Sequence, residues 1–133
     1  MYLISIKKRS DFLFLSKSNI CFHSKTSLVL SGKTPEKYLT NPHTRQIDHF
    51  CRFGLTVSKK VGNAVVRNKI KRQYRQALIL LNKEQSLESY FDYSIIAKRG
   101  IVNGSFQNIC DDLKFCFKHI KRLIKEDELK QKQ

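Results

Sequence analysis

Arg67, Lys71 and Arg75 stand four residues apart in the segment AVVRNKIKRQYRQAL. On a helix that pitch lines up three cations on one face, about 6 Å per step. Phosphates along a nucleic-acid strand are spaced on a comparable scale. Arg can grip a phosphate with two hydrogen bonds, and Lys supplies a point charge. Arg72 and Asn68 lie within the same cluster, and Lys59 and Lys60 precede it. Asn is a poor interior helix residue, so Asn68 can cap locally or hydrogen-bond a base or a 2′-hydroxyl. A merely solvated helix face intersperses acids to form i,i+4 pairs. Here nine cations and no acid lie between Asp48 and Glu84. Charge of that density calls for a polyanion.

Residues able to break bonds are missing from the pattern. The acids are few and scattered, and Asp111 and Asp112 point about 100° apart as helix neighbours. No carboxylate cluster suits two-metal catalysis, and no Gly-x-Ser-x-Gly or ordered Cys–His set occurs. Gly62-Asn63 lacks the second glycine and the Gly-Lys-Ser/Thr of a phosphate loop, so a tight turn into a helix explains it. Cys21, Cys51, Cys110 and Cys116 form no Cys-x-x-Cys pair, and the four histidines fall at no ligand spacing. Free thiols and no metal site are expected. Phe12, Phe14, Phe22, Phe53, Phe91 and Tyr93 can serve as stacking platforms, although core packing should claim most of them.

These side chains sit in a chain of 133 residues with a net charge of +15 and a hydrophobic fraction of 41%. One domain is expected over residues 1–125, with a polar tail over 126–133 that frays. No apolar run approaches the ~20 residues of a spanning helix, so a membrane partner is not expected. At the N-terminus, MYLISIKKRS, the apolar residues precede the charges, the reverse of a secretory signal. The basic, Ser-containing first thirty residues also fit a transit peptide, but Asp11 to Leu15 is better explained as structure.

The elements that must position the cations read in the order helix, strands, helix, strand, helix. Ser10 and Asp11 can open a short helix to about residue 18, with Phe12 and Leu15 on one face. Asn19 to Leu30 is extended, and residues 31–48, with both prolines, read as a long loop insertion. Phe50 to Ser58 alternates as a strand, Lys59 to Asn63 turns, and Ala64 to Leu81 is helical. Tyr90 to Lys98 is a second alternating strand. Ser105 can cap a last helix to about Ile124. The pattern is α+β, one sheet covered by helices mainly on one face.

The stretch Val57-Ser58-Lys59-Lys60-Val61-Gly62-Asn63-Ala64-Val65-Val66-Arg67-Asn68-Lys69-Ile70-Lys71-Arg72 closely resembles the signature of the bacterial ribonuclease P protein family. Arg67-Asn68 with Lys71-Arg72 and Arg75 is similar to that family's RNR motif. Asp11-Phe12, Leu28-Val29-Leu30 and Tyr93 to Lys98 follow its layout, so the likeness spans roughly residues 7 to 124.

The resemblance implies a two-layer α/β sandwich of order αβββαβα, a ribosomal-protein-like domain with a left-handed crossover through the RNR helix. It implies a cytoplasmic subunit of an endoribonuclease. That subunit binds the catalytic RNA and the single-stranded 5′ leader of precursor tRNA, as a monomer in a 1:1 complex with the RNA. The RNA carries the bond-breaking chemistry and holds most of the Mg²⁺. Carried over by position, Lys59, Lys60, Arg67, Asn68, Lys71, Arg72 and Arg75 contact RNA, and Phe12 lines the leader cleft. Two positions depart from the family. Gln76 and Ile79 stand where an acid and a further arginine are common, which shortens the expected RNA footprint. Leu28 and Leu30 occupy cleft positions that are often aromatic.

Two other classes compete. A structural RNA-binding protein of ribosomal type shares the basic α+β character but does not demand Arg-Asn with Lys-Arg at this spacing. A DNA reader would place Asn, Gln or Arg near the start of its recognition helix to contact base edges. The continuous cation run fits backbone binding better.

Overall fold

The computed structural model describes residues 1–41 and 48–132 of the chain. Five strands, β1 (Tyr2–Ser5), β2 (Ile20–His23), β3 (Ser27–Lys33), β4 (Phe50–Thr56) and β5 (Phe91–Ala97), form one sheet in the order β1-β4-β5-β3-β2. The described helices are α1 (Arg9–Leu15), a single turn α2 (Glu36–Leu39), α3 (Ala64–Lys83) and α4 (Phe106–Gln131). A 3₁₀ turn spans Arg99–Asn103. β4 runs parallel to β1 and β5, and β3 runs antiparallel to β2 and β5. Removing β1 and α2 leaves the expected order αβββαβα.

α3 and α4 cover one sheet face. Ile70, Tyr74, Ala77, Leu78 and Leu81 of α3 meet Ile109, Leu113, Phe117 and Ile120 of α4 over Val29, Cys51, Tyr93 and Ile95. The Tyr74 hydroxyl keeps a partner there in Ser27 Oγ, 2.7 Å away. α3 ends in a left-handed Gln85 (φ 58°), with Ser86 N donating to Leu81 O and Gln85 N to Asn82 O. This closes the helix as a glycine commonly does. Ser105 caps α4 in a reciprocal box with Asn108, as its residue type predicts.

Four expectations need correction. β1 adds a strand, because Tyr2 to Ser5 finds a parallel partner in Phe50 to Phe53. The expected loop is partly structured: residues 31–33 extend β3 and 36–39 form α2. The rest of that loop falls partly on 42–47, outside the described residues. α4 runs to Gln131, past Ile124, with exposed side chains beyond that point. Finally, the opposite sheet face is also covered, by α1 and Tyr38, so β5 is buried on both sides, Asp92 and Ser94 included.

That second face holds an ionic cluster. Arg52 donates through Nε to Asp92 Oδ1 at 2.8 Å and through a terminal nitrogen to Asp92 Oδ2 at 2.5 Å. Its other terminal nitrogen lies 3.5 Å from Asp11 Oδ2, which also accepts from the Tyr38 hydroxyl at 2.6 Å. The Tyr38 ring stacks on the guanidinium, 3.8 Å from its centroid. Thr34 Oγ1 donates to Asp92 Oδ1. Asp11, Arg52 and Asp92 are 7%, 4% and 2% exposed. Burial disfavours the Arg52 cation, but the bond to and charge of Asp92, with Tyr38 and Asp11 behind them, outweigh it and raise its pKa.

Arg52→Met strands two buried carboxylates. It should destabilise the fold by about 3–5 kcal/mol, measured by urea denaturation, because an uncompensated buried charge is costly. Cys51 and Cys116 are buried, while Cys21 and Cys110 are half-buried. Burial, with help from the charge of Asp92, pushes the Cys51 thiol up from 9.0 to about 12. The stability that comes from keeping this thiol protonated is complete below pH 9 and is lost as pH rises towards 12. A thiol titration with Ellman's reagent near pH 8 should therefore label Cys21 and Cys110 rapidly, and Cys51 and Cys116 only after denaturant is added.

Candidate nucleic-acid interface

After β4, Val61 N donates back to Ser58 O at 3.0 Å and closes a turn. Gly62 then passes so close to Val66 that a methyl there would sit 2.9 Å from its Cγ1. Asn63 caps α3, its Oδ1 accepting from Val66 N at 3.0 Å. Such a cap contributes about 1 kcal/mol and fixes where the helix begins. The first turn of α3 carries no acid. The positive end of the helix therefore adds to Lys59 and Lys60 instead of being neutralised.

Lys59, Lys60, Asn68, Arg72 and Arg75 are exposed, and Arg67 and Lys71 are half-buried. The structure thus places all seven predicted residues along the turn and the first three turns of α3. Among the described residues, Arg67 Nε is the buried side-chain polar atom left without a hydrogen-bond partner. Arg52, counted with the cations of this segment on sequence, does not belong to the interface: it is sealed under Tyr38. Gln76 and Ile79 are exposed on the later turns, so the helix surface becomes less cationic there.

β1 ends early. Ser5 is its last paired residue, opposite Phe53, and Ile6 N adds one bond to Phe53 O. β4 continues past that end. An open groove of about 410 Å³ follows, lined by Lys7, Arg9 and Phe12 from the α1 side, by Leu55, Thr56 and Val57, and by Lys71 from α3. The groove brings Phe12 and Lys71 together, although they lie 59 positions apart and on different layers. Phe12 leans over Gly54, which leaves room for its ring. Of the candidate stacking rings, Phe91 and Tyr93 are buried in the core, Phe22 and Phe53 are half-buried, and Phe14 is 69% exposed. Leu30 is buried and Leu28 half-buried. Lys7 and Arg9 line the groove without having been among the residues expected from sequence. Their signal was the Lys7-Lys8-Arg9 run just before the Phe12 helix.

Among the described residues, no three His, Cys, Asp or Glu side chains are grouped to hold a metal ion. Asp11 and Asp92 are committed to Arg52.

The family model described as Ribonuclease P matches residues 3–126. The chain belongs to the ribonuclease P protein family. A ribonuclease P protein component of Streptococcus thermophilus is 35% identical over 121 residues, covering 91% of this chain and 95% of that protein. One from Exiguobacterium sibiricum is 47% identical over 73 residues, covering 55% of this chain and 60% of that protein. The Staphylococcus aureus ribonuclease P protein structure superposes with a TM-score of 0.67 at 30% identity, covering 86% of this chain and 92% of that one. The Thermotoga maritima ribonuclease P protein, 22% identical with a TM-score of 0.63 over 82% of this chain and 90% of that one, shares the fold. The mixed α/β architecture expected from sequence is therefore that of ribonuclease P proteins.

Gly54→Ala tests the groove. Its methyl would collide with Phe12 Cε1 and Cζ and turn the ring away. Base–aromatic stacking contributes about 1–3 kcal/mol, so affinity for single-stranded RNA should fall about fivefold or more. Fluorescence anisotropy measures this, and Phe12→Ala should show the same loss without adding to it.

Proposed function

We propose that this chain grips the catalytic RNA of ribonuclease P through the start of α3 and holds the single-stranded 5′ leader of precursor tRNA in the adjoining groove. In this reading it assists endonucleolytic removal of the leader. The observation that carries it is the convergence of Lys71, Lys7, Arg9 and Phe12 on one groove, beside the exposed RNR cations. Cations there bind phosphates, the Phe12 ring takes a base, and the open β4 edge offers backbone groups.

The protein's part is positioning and charge neutralisation. Lys59, Lys60, Asn68, Arg72 and Arg75 dock on the RNA backbone, and Arg67 and Lys71 join that surface to the groove. The sequence orders no Cys–His or carboxylate set for catalysis, so we assign the reaction to the RNA subunit. Mg²⁺ is assigned there too, as the family resemblance implies. We take the complex to be cytoplasmic, with one protein monomer per RNA.

Reconstitution with the cognate catalytic RNA tests this directly. The protein should raise precursor tRNA cleavage at low Mg²⁺ and show no cleavage by itself once nucleic acid is removed. Arg67→Ala with Lys71→Ala should lose that stimulation while circular dichroism stays unchanged. Binding should weaken steeply with salt, with a log–log slope of roughly −4 to −5 for about six phosphates. Binding with no effect on cleavage would favour a structural RNA-binding role.

A further inference from the structure

α4 carries a second basic surface that the interface above does not use. Residues 113–125 hold five cations and no acid. On the side of α4 facing edge strand β2, three rings meet. Phe22 of β2 stacks flat on His119, centroids 4.2 Å apart and planes 2° apart. Phe115 sets its edge against both, at 5.4 Å from Phe22 and 4.5 Å from His119. Phe115 remains 53% exposed. Arg122 donates to His119 Nδ1 at 3.0 Å. Arg has only donors, so Nδ1 accepts and the proton of the neutral imidazole sits on Nε2. That bond holds the ring flat on Phe22 and parks a guanidinium beside the aromatic cluster.

We propose that this Phe115–His119–Phe22 cluster, flanked by Lys118 and Arg122, is a second single-stranded RNA contact. A base would stack on the exposed Phe115 ring while neighbouring phosphates meet the two cations. Charge complementarity selects the occupant. Lys114 pairs with Glu84 at 3.3 Å, but among the described residues no ion pair holds Lys118 or Arg122. An apolar protein partner would have to desolvate those cations, whereas RNA neutralises them and releases counterions. The rings add stacking that tolerates any base. The site lies on α4 beside β2, whereas the groove lies between α1, β4 and α3. An RNA strand could therefore be held at two separated points. The proposal rests on the reading of the chain as an RNA-binding protein.

The chain contains no tryptophan, so Phe115→Trp installs a single fluorescent reporter. The full-length variant is titrated with a short unlabelled oligoadenylate, while anisotropy of a labelled copy reports total binding. Saturable quenching of the introduced indole is expected. It should persist in the Arg67→Ala, Lys71→Ala background, and Leu129→Trp, also exposed on α4, should show none. Phe115→Ala should lower oligoadenylate affinity about fivefold or more, with Phe115→Tyr restoring it. RNA binding that leaves the indole of Phe115→Trp unquenched, or unchanged affinity in Phe115→Ala, would overturn this inference and leave the α3 interface standing. Absence of all RNA binding would overturn both. Self-association that Phe115→Ala abolishes while RNA affinity is unchanged would assign the cluster to a second copy of the chain and overturn it as well.

Discussion

Arg52 is the joint on which the interface depends. Its guanidinium lies between Asp92 on β5 and Asp11 on α1, under the ring of Tyr38. A buried charge is tolerated only when its partners are fixed and hydrogen-bonded. The cluster therefore sets where α1 can sit. α1 in turn carries Phe12 over Gly54 and brings Lys7 and Arg9 to the end of β4. The groove is a geometric consequence of that anchoring. A well-packed apolar replacement could match the stability, but it would have to reproduce the same placement of α1.

The two sheet faces divide the labour. One is an apolar layer under α3 and α4, with the Tyr74 hydroxyl satisfied by Ser27. The other, under α1, sets the partnered Arg52 cluster among the apolar Leu15, Leu30 and Phe50. The chain's excess positive charge is kept outside both, on the turn before α3, on α3 itself and on α4. Self-repulsion of that charge opposes compaction. An RNA that engages only the folded chain stabilises it by mass action. Binding and folding are then linked through the same cations.

Much of this was legible in the residues. The alternation of β4 and β5, the stripes of α3 and α4 and the Asn63 and Ser105 caps are local signals, and each marks its element. The cation pitch of α3 is likewise local, and the structure leaves those side chains available. What escaped was nonlocal. β1 is four residues long and exists because it pairs with β4, some fifty positions away. Arg52 reads as one more cation in a basic run. Only the register placing it opposite Asp92 turns it into a core residue. Lys7 and Arg9 reach the groove because the buried cluster holds α1 in place, and no sequence period encodes that.

The central claim is that Phe12 and the RNR cations form one surface, with the leader beside the catalytic RNA. A photoreactive phenylalanine analogue at position 12, in the reconstituted complex with precursor tRNA, tests it most directly. The account predicts crosslinks to nucleotides of the 5′ leader, lost when mature tRNA replaces the precursor. Crosslinks confined to the tRNA body or to the catalytic RNA would contradict it.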